Sequence, residues 1–249
     1  MINFIMLTWN RKAFVEKLFD SFYEKISNMY PYEFIIIDNG STDGTKELLQ
    51  ERGKNDSNIK LIFNDKNEGL NAYKELYKFC NGDYIITIDD DVIEFPENFD
   101  FKLIDALTKA DKFGFLALDV VQNEQTDGAK HKISEYKDVA VENYIISEGP
   151  TGGWCCIVRA SDFKRIEKYF MSGKYTMKQG EDGKISRLMR RKLKLKSGLL
   201  KDEKCFHACG PYYSQKYGFL DRDIEKYKNG RLNRYVKVYR SFKKKENKF

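Results

Sequence analysis

Three consecutive carboxylates, Asp89, Asp90 and Asp91, directly follow the apolar run YIITI at residues 84–88. Like charges at this spacing repel one another, and the repulsion costs free energy unless something positive lies nearby. A metal ion, a cluster of lysines or bulk water could each offset that repulsion. The run therefore indicates a site for charge compensation at the end of a buried strand. Other parts of the sequence are needed to choose between a metal ion, lysines and water.

Polar segments also follow the other apolar runs in the first half of the chain. They are TWNR at residues 8–11, DNGSTDGT at 38–45 and FNDKNEG at 63–69. Their Gly, Asn and Asp residues are the types that tight turns and close approach of a ligand require. Neither G-x-G-x-x-G nor G-x-x-x-x-G-K-[ST] occurs in the chain, so the sequence supports neither a dinucleotide-binding Rossmann site nor a P-loop.

Short apolar runs alternate with segments of helical periodicity. The strand candidates are INFIMLT, EFIIID, IKLIF and DYIITID, and Phe14, Leu18, Phe22 and Ile26 form one stripe of an amphipathic helix between the first two. This order predicts an α/β fold with a mostly parallel central sheet and helices on both faces. Ligands of such sheets bind beyond the carboxyl ends of the strands, where the polar segments of this chain fall.

The composition is that of a globular protein. With 249 residues, 41% of them hydrophobic and only 4 Pro, the chain can bury a substantial core and is not expected to be disordered. No apolar stretch approaches the roughly 20 residues that span a bilayer. We therefore expect a soluble cytoplasmic protein, with peripheral attachment to the inner face of a membrane as an alternative.

The cysteines do not form the pattern of a disulfide framework, because there are five and two of them, Cys155 and Cys156, are adjacent. We expect reduced thiols. A strand through CFHAC would place Cys205, His207 and Cys209 on one face. That arrangement leaves a zinc site open if Cys155 or Cys156 supplied the fourth ligand.

The charges are divided unevenly along the chain. Residues 164–249 contain 26 Lys and Arg against 9 Asp and Glu, a net +17, which leaves 18 against 29, or −11, for residues 1–163. Lysine-rich surface helices are one explanation. The other is that the last third meets an anionic partner, such as DNA, a membrane surface or a phosphorylated acceptor.

The segments IIIDNGSTDGT, NEGLNAY and GDYIITIDDDV, in this order and at these spacings, resemble the nucleotide-sugar half of glycosyltransferase family 2, the inverting enzymes of the GT-A fold. The resemblance covers residues 2–120 closely and continues more loosely through TGGWCCIVRASDF, GEDGKISRLMRR and FHACG. It implies transfer of a sugar from a nucleoside-diphosphate sugar, UDP-linked, to an acceptor hydroxyl with inversion. A cell-envelope or lipid-linked saccharide is the expected acceptor, and Mn²⁺ or Mg²⁺ the expected cofactor.

The resemblance favours a metal ion as the charge that offsets the carboxylates. Asp89 and Asp91 form the D-x-D of the family, with Asp91 as the direct metal ligand and Asp89 in contact through the ribose or a water. A hard divalent cation held by such oxygens can bridge a diphosphate to the protein and make it a better leaving group. His207 stands where family members complete the metal shell, although it could equally be a packed strand residue.

The resemblance also implies a set of nucleotide-sugar-binding residues. Asp38 is expected to accept a hydrogen bond from the base, Arg11 to reach a phosphate and Trp154 to offer a flat face to the sugar ring. The full set is Thr8, Asn10, Arg11, Asp38, Asn39, Asn67, Gly69, Asp89, Asp90, Gly153 and Trp154. Individually, the loop residues of this set could simply shape turns.

Inverting transfer needs a base, because the acceptor hydroxyl has a high pKa. The family supplies it from an E-D pair after the metal motif, and GEDGKISRLMRR contains Glu181 and Asp182. Asp182 is the expected base, with Glu181 orienting the acceptor or raising the pKa of the pair. The alternative is an acidic pair placed at a helix N-terminus to interact with the helix dipole.

These assignments divide the chain into a GT-A catalytic domain at residues 1–215 and a basic, aromatic C-terminal extension at 216–249. Within the domain, residues 1–120 form the nucleotide-sugar and metal half and 121–215 the acceptor half. The extension could stack on nucleic-acid bases, rest on anionic lipid or pack as an ordinary last helix. Two other functions stay open, namely a glycosyltransferase for hydroxylated DNA bases and a catalytically silent GT-A binding module.

Overall fold

The computed structural model describes residues 1–126 and 130–246. Its strands are β1 (Ile2–Thr8), β2 (Tyr32–Asp38), β3 (Ile59–Phe63), β4 (Tyr84–Ile88), β5 (Val92–Glu94), β6 (Phe113–Val120), β7 (Lys137–Val141), β8 (Tyr144–Glu148), β9 (Cys155–Arg159) and β10 (Lys196–His207). Its α-helices are α1 (Lys12–Lys25), α2 (Thr45–Asn55), α3 (Tyr73–Phe79), α4 (Phe99–Lys109), α5 (Ala160–Met171), α6 (Glu181–Leu188), α7 (Pro211–Lys216), α8 (Leu220–Asn229) and α9 (Asn233–Glu246).

The strands pair in the order β3-β2-β1-β4-β9-β6-β10-β8-β7, and β5 pairs with β10 beside this path. β1 is parallel to β2 and to β4, β2 is parallel to β3, and β6 is parallel to β10. β9 is antiparallel to both β4 and β6, so these two strands share one direction. The mostly parallel α/β sheet that the sequence predicted is therefore confirmed, with β5, β8 and β9 running against the other strands.

Helices cover both faces of this sheet. Phe4 and Ile5 are successive residues of β1, so their side chains point to opposite faces. The Phe4 ring lies 5.0 Å from that of Phe22 in α1. Ile5 stands opposite Thr87 of β4, whose hydroxyl is 3.1 Å from that of Tyr77 in α3. The α1 and α3 helices therefore pack on opposite faces.

The apolar stripe predicted for the first helix is confirmed. Phe14, Leu18 and Phe22 lie in α1 and are fully buried, and Ile26 follows as the C-cap residue of that helix. Each of the three fully buried side chains removes an apolar surface from water, which stabilises the fold by roughly 1.5–3 kcal/mol. The stripe fixes α1 between the sheet and β5, and so fixes the loop between β1 and α1 that carries Asn10 and Arg11.

The long strand β10 connects the two halves of the sheet. Its first part pairs with β6 and β8, and its last residues pair antiparallel with β5. β5 begins directly after the three carboxylates, so this last pairing brings the end of β10 next to them. The pairing therefore places the end of β10, with His207, beside the aspartate run, which lies more than a hundred residues earlier in the chain.

The chain after β10 packs back on the first half. The rings of Tyr217 and Phe219 lie 4.8 Å and 4.7 Å from the ring of Phe14 in α1. The domain division at residue 215 stays a prediction, and residues 247–249 of the predicted extension lie outside the described residues. Across residues 1–126 and 130–246, no helix combines the length and the apolar character that crossing a membrane would require.

Candidate active site

The three carboxylates lie at the end of β4, at the carboxyl edge of the sheet. The backbone N–H of Asp89 donates to the carbonyl of Trp154 at 2.8 Å. His207, the last residue of β10, has its Nε2 2.8 Å from Oδ1 of Asp91 and 3.9 Å from Oδ2 of Asp89. One ligand atom from each of Asp89, Asp91 and His207 lies within 4.8 Å of the other two, so the three side chains converge on one point.

The electrostatics of this cluster follow from its burial and its charges. Burial alone would lower the pKa of His207, but the charge and hydrogen bond of Asp91 raise it well above its ordinary value. Burial alone would raise the pKa of Asp91, but His207 and Arg11 lower it. Burial raises the pKa of Asp89, an effect that His207 opposes and Asp91 reinforces. The opposite charges of Asp91 and His207 thus favour each other, and a divalent cation would compete with protons for the same ligand atoms.

The chemistry of the donor set fits such a cation. Two carboxylate oxygens and one imidazole nitrogen suit Mn²⁺, and the carboxylates alone suit Mg²⁺. Within the described part of the chain, one group of three potential ligand side chains lies at metal-binding distances. It consists of Asp89, Asp91 and His207, and it contains no cysteine. The zinc arrangement with Cys205 and Cys209 is therefore not formed, and all five cysteines are free thiols, as predicted.

Asp90 and Arg11 complete the charge balance around the cluster. Asp90 turns toward β1, where it accepts a hydrogen bond from the Thr8 hydroxyl at 2.9 Å. Arg11 is only 4% exposed, and its guanidinium lies 3.5 Å from Asp91 and 3.0 Å from Asp223. Burial alone would lower the pKa of Arg11, but Asp223, Asp90 and Asp91 raise it, so this side chain stays charged. The contact predicted between Arg11 and a phosphate stays a prediction.

Helix α8 supplies three charged residues that the sequence analysis did not assign. Arg222 donates to the carbonyl of Trp9 at 3.0 Å and 2.8 Å and to Asp223 at 2.6 Å. Lys226 follows one turn later and lines the same cavity as Asp89 and the other carboxylates. Among the described side chains of residues 1–126 and 130–243, no carboxylate lies at ion-pair distance from Lys226, although Arg11 has two and Arg222 has one.

The predicted base-binding residue, Asp38, is at the end of β2 and is buried. Its Oδ1 accepts hydrogen bonds from the backbone N–H groups of Gly40 at 3.0 Å and Ser41 at 2.8 Å. Its Oδ2 is buried and has no hydrogen-bond partner among the described residues. A buried acceptor without a partner is costly, so this oxygen is suited to accept from a ligand. The base contact itself stays a prediction.

Asn10 and Asn39 organise the loops of the site through their side chains. Asn10 has a left-handed backbone, with φ of 50°, and its side-chain oxygen accepts from the Thr42 N–H at 2.7 Å. The Asn39 amide donates to Asn67 at 2.9 Å and to the Gly69 carbonyl at 3.3 Å. Its oxygen accepts from the Asn64 amide and the Glu68 N–H at 3.0 Å and 2.9 Å, which ties residues 64–69 to the end of β2.

We expect Asn39→Ala to lower the free energy of unfolding by about 1–2 kcal/mol, because it removes the hydrogen bonds by which the buried Asn39 side chain holds the 64–69 loop. Urea denaturation followed by circular dichroism measures the change. Asn55→Ala is the matched control, since Asn55 is exposed at the end of α2. An equal loss in both variants would contradict the role assigned to Asn39.

The predicted base, Asp182, is in the first turn of α6. Its Oδ2 accepts from the Gly153 N–H at 3.1 Å, and its Oδ1 accepts from the Gly183 N–H. A Cβ at Gly153 would lie 3.2 Å from the Cβ of Asp182, and one at Gly180 would lie 2.5 Å from its Oδ1. The two glycines at 153 and 180 therefore make room for this carboxylate.

Glu181 and Asp182 have different environments. Glu181 is buried, and its Oε2 has no hydrogen-bond partner among the described residues. Burial and the charge of Asp182 raise the pKa of Glu181 well above its ordinary value. Burial also raises the pKa of Asp182, but the N–H groups of Gly183 and Gly153 offset part of that rise. Asp182 is therefore the member of the pair that is better able to accept a proton at neutral pH.

Two cavities meet at this site. The first cavity, of about 830 Å³, is lined by Thr8, Arg11, Asn39, Asn67, Gly69, the three aspartates, Arg222 and Lys226, among others. The second cavity, of about 700 Å³, is lined by residues 149–154, Ser186, Arg190 and residues 194–197, among others. Asp89, Gly153, Asp182 and His207 line both cavities. Two members of the candidate metal-binding group, Asp89 and His207, thus stand with the candidate base Asp182 on the shared wall, while Asp91 lines the first cavity.

Trp154 is at this wall, but most of its ring is covered. It is 4% exposed, and its indole N–H donates to the carbonyl of Leu118 at 2.8 Å. Its ring stacks beside that of His207, with centroids 6.2 Å apart. The stacking role predicted for Trp154 on a sugar ring stays a prediction, whereas its contact with His207 is a support for the metal-binding group that the sequence analysis did not foresee.

Comparison with known families and proteins gives consistent matches. A family profile described as Glycosyl transferase family 2 matches residues 4–166. An undecaprenyl-phosphate 4-deoxy-4-formamido-L-arabinose transferase of Pseudomonas fluorescens is 31% identical over 102 residues, which are 40% of this chain and 28% of that protein. A dolichyl N-acetyl-alpha-D-glucosaminyl phosphate 3-beta-D-2,3-diacetamido-2,3-dideoxy-beta-D-glucuronosyltransferase of Methanococcus voltae is 32% identical over 87 residues, 34% of this chain and 27% of that protein. The matches span between a quarter and a third of these two relatives.

Solved structures share the fold over most of the chain. The mannosyltransferase PcManGT from Pyrobaculum calidifontis, in complex with GDP-Man and Mn²⁺, has a TM-score of 0.64 at 14% identity and covers 96% of this chain and 62% of its own. TarS 1-349 of S. aureus, in complex with UDP-GlcNAc, has a TM-score of 0.59 at 18% identity and covers 88% of this chain and 63% of its own. Similarity at these identities concerns the fold, and it confirms the predicted GT-A fold.

Proposed function

Because the chain belongs to glycosyl transferase family 2, we propose that it moves a sugar from a nucleoside-diphosphate sugar in the first cavity to an acceptor hydroxyl in the second, with inversion and with a divalent cation. The observation that carries this proposal is the shared wall, where Asp89 and His207 of the candidate metal-binding group line the same two cavities as Asp182. A donor bound over the cation-binding group would have its reacting carbon near the wall. An acceptor in the second cavity would approach that carbon beside Asp182.

The steps of the reaction divide between these residues. A bound Mn²⁺ or Mg²⁺ would neutralise charge on the diphosphate and so favour its departure. Asp182 accepts the proton of the acceptor hydroxyl as the oxygen forms its bond to the anomeric carbon and the bond from that carbon to the diphosphate breaks. Attack from the side opposite to the leaving group inverts the configuration. The two glycines that make room for Asp182 keep its carboxylate at the wall.

The comparisons support a cell-envelope or lipid-linked saccharide as the acceptor, because the names of the two curated relatives include undecaprenyl phosphate and a dolichyl-linked sugar phosphate. UDP as the nucleotide, and a place at the inner face of a membrane, belong to the same proposal. The described residues offer no feature that favours a hydroxylated DNA base as the acceptor. The complete group of Asp89, Asp91, His207 and Asp182 opposes a catalytically silent module.

A screen of nucleotide sugars by thermal shift tests this function. Ligands that bind the folded state raise its apparent stability by mass action, so a matching donor should raise the melting temperature in Mn²⁺ and not in a chelator. UDP-linked and GDP-linked sugars should be included, with the free nucleotides as references. If no nucleotide sugar or nucleoside diphosphate shifted the melting temperature in either condition, the proposed function would be wrong.

Lys226 should contribute to the donor site through its charge. We expect Lys226→Gln to weaken binding of the matching nucleoside diphosphate about tenfold, because the amine faces the cavity of the carboxylates without an ion-pair partner among the described residues. Binding of the corresponding nucleoside should change little, because the nucleoside lacks the diphosphate. Isothermal titration calorimetry measures both affinities.

Lys228→Gln is the matched control for this variant. Lys228 is exposed in the same helix and does not line the first cavity. An equal loss of affinity in the two variants would indicate a general effect of net charge, and unchanged affinity in Lys226→Gln would remove Lys226 from the donor site.

A further inference from the structure

The second cavity is not uniformly charged. At the wall that it shares with the first cavity stand the carboxylates of Asp89 and Asp182, and the cationic side chains of Arg190, Lys194 and Lys196 line it as well. Lys196 is neutralised by Glu148, since the two side chains lie 2.7 Å apart. Arg190 and Lys194 form no such ion pair among the described side chains.

Arg190 and Lys194 are both exposed to solvent in this cavity. Among the side chains described, those of residues 1–126 and 130–243, no carboxylate lies at ion-pair distance from either of them, whereas the partly buried Lys130 and Lys102 are paired at 2.7 Å. No carboxylate among these described side chains therefore offsets their positive charges. Unpaired cations that line a concave surface attract anions more strongly than cations on an open surface, because the low-dielectric walls focus the field.

The backbone between α6 and β10 is irregular at these residues. α6 continues into a π-helical turn at Met189–Leu193, and Lys194 then adopts a left-handed conformation with φ of 63°. A non-glycine residue in that conformation costs roughly 1 kcal/mol or more. The Leu195 N–H closes the turn on the Met189 carbonyl at 3.1 Å. The turn brings Arg190 and Lys194 to the cavity, while Arg191 and Lys192 between them do not line it.

We propose that the second cavity binds an acceptor that carries an anionic group, a phosphate or a carboxylate, near the hydroxyl that accepts the sugar. This inference rests on the proposed function, because it assigns the acceptor to the second cavity. Arg190 and Lys194 bind the anionic group by charge-assisted hydrogen bonds. The hydroxyl then lies toward Asp182, at the shared wall.

The division of charge gives the acceptor one orientation. Its anionic group is repelled by Asp89 and Asp182 and attracted by Arg190 and Lys194, so the reversed pose brings like charges together. A neutral saccharide could accept hydrogen bonds from the two cations through its hydroxyl oxygens, but it would not gain the attraction between opposite charges. The cavity therefore selects for an anionic acceptor as well as orienting it.

The test uses the full chain saturated with UDP and Mn²⁺, or with whichever nucleoside diphosphate the thermal-shift screen selects, so that added anions cannot occupy the diphosphate position. Four probes are titrated and followed by ligand-observed NMR: methyl glucoside as the neutral sugar, glucose 1-phosphate, glucuronate, and the short lipid geranyl phosphate. We expect at least one anionic probe to bind about tenfold more tightly than methyl glucoside, and its affinity to fall with added salt. The probe that binds distinguishes a saccharide phosphate, a uronate and a lipid phosphate.

The double variant R190Q/K194Q should reduce affinity for that anionic probe about tenfold, to the level of the neutral sugar. R191Q/K192Q removes the same charge from the same turn and should leave the affinity unchanged. Nucleoside-diphosphate affinity should stay within a few-fold in both double variants, which keeps failure of the proposed function separate from failure of this inference. Equal binding of neutral and anionic probes by the wild type, absence of binding by all four, or equal losses in the two double variants would overturn it.

Discussion

Asp182→Asn is expected to reduce sugar transfer by about a hundredfold or more while nucleoside-diphosphate affinity stays within a few-fold of the wild type. The amide keeps the size of the carboxylate, and its one oxygen can still accept from either the Gly153 or the Gly183 N–H, which bond different oxygens of Asp182. It cannot accept the proton of the acceptor hydroxyl. The loss should therefore appear in the transfer step and not in donor binding.

Two measurements make this expectation specific. Calorimetry gives the nucleotide affinity of the variant, and release of nucleoside diphosphate in the presence of acceptor gives the rate. Arg187→Gln is a control in the same helix, because Arg187 is exposed and lines neither cavity. A variant Asp182→Asn that turned over normally would move the base elsewhere, and Glu181 would be the next candidate.

The local sequence was sufficient to predict which residues lie at the carboxyl ends of the strands. Residues that directly follow a strand must lie at its end, so the Asp89–Asp91 run and Asp38 could be placed before the fold was known. The alternation of strands and helices fixed a parallel sheet, and the sheet brings those strand ends to one edge. Both predictions use only short stretches of chain and the direction of the strands, which is why they were confirmed.

Residues whose position depends on distant contacts could not be assigned in this way. Arg222, Asp223 and Lys226 share one helix face, but charged helical faces are usually solvated, and their pattern does not indicate a partner. Only the packing of α8 on the β1–α1 loop brings Asp223 within 3.0 Å of Arg11, 212 positions earlier. Lys226 enters the first cavity for the same reason.

The candidate metal-binding group contains both kinds of residue, those that a local motif predicts and one whose position depends on a distant contact. The D-x-D resemblance was sufficient to predict Asp91 as a direct metal ligand and Asp89 as a contact through the ribose or a water. Two interpretations of His207 stayed open, because its distance from them depends on the pairing of β5 with β10. That pairing places Nε2 of His207 2.8 Å from Asp91. The histidine is therefore beside the carboxylates and not simply a packed strand residue.

Asp91→Asn is the second variant with a large expected effect. It should abolish sugar transfer to background and remove the dependence of nucleoside-diphosphate affinity on Mn²⁺, so that the affinity in Mn²⁺ equals that in chelator. The substitution takes away a negative ligand oxygen and leaves an amide that binds a hard cation weakly. It also removes the negative charge from the partner of His207, so that the 2.8 Å contact at Oδ1 becomes a hydrogen bond to a neutral amide oxygen.

Calorimetric titration of UDP, or of the nucleotide that the screen selects, in Mn²⁺ and in chelator measures this dependence for each variant. Asp90→Asn is the matched control: Asp90 is adjacent in sequence, but its side chain accepts from Thr8 and does not belong to the metal-binding group, so the cation dependence should persist. A wild type that bound the nucleotide equally in Mn²⁺ and in chelator would refute the metal assignment outright. If the wild type depended on the cation and Asp91→Asn did so equally, the cation would be held elsewhere, and Asp89 with His207 alone would be too few protein ligands to explain it.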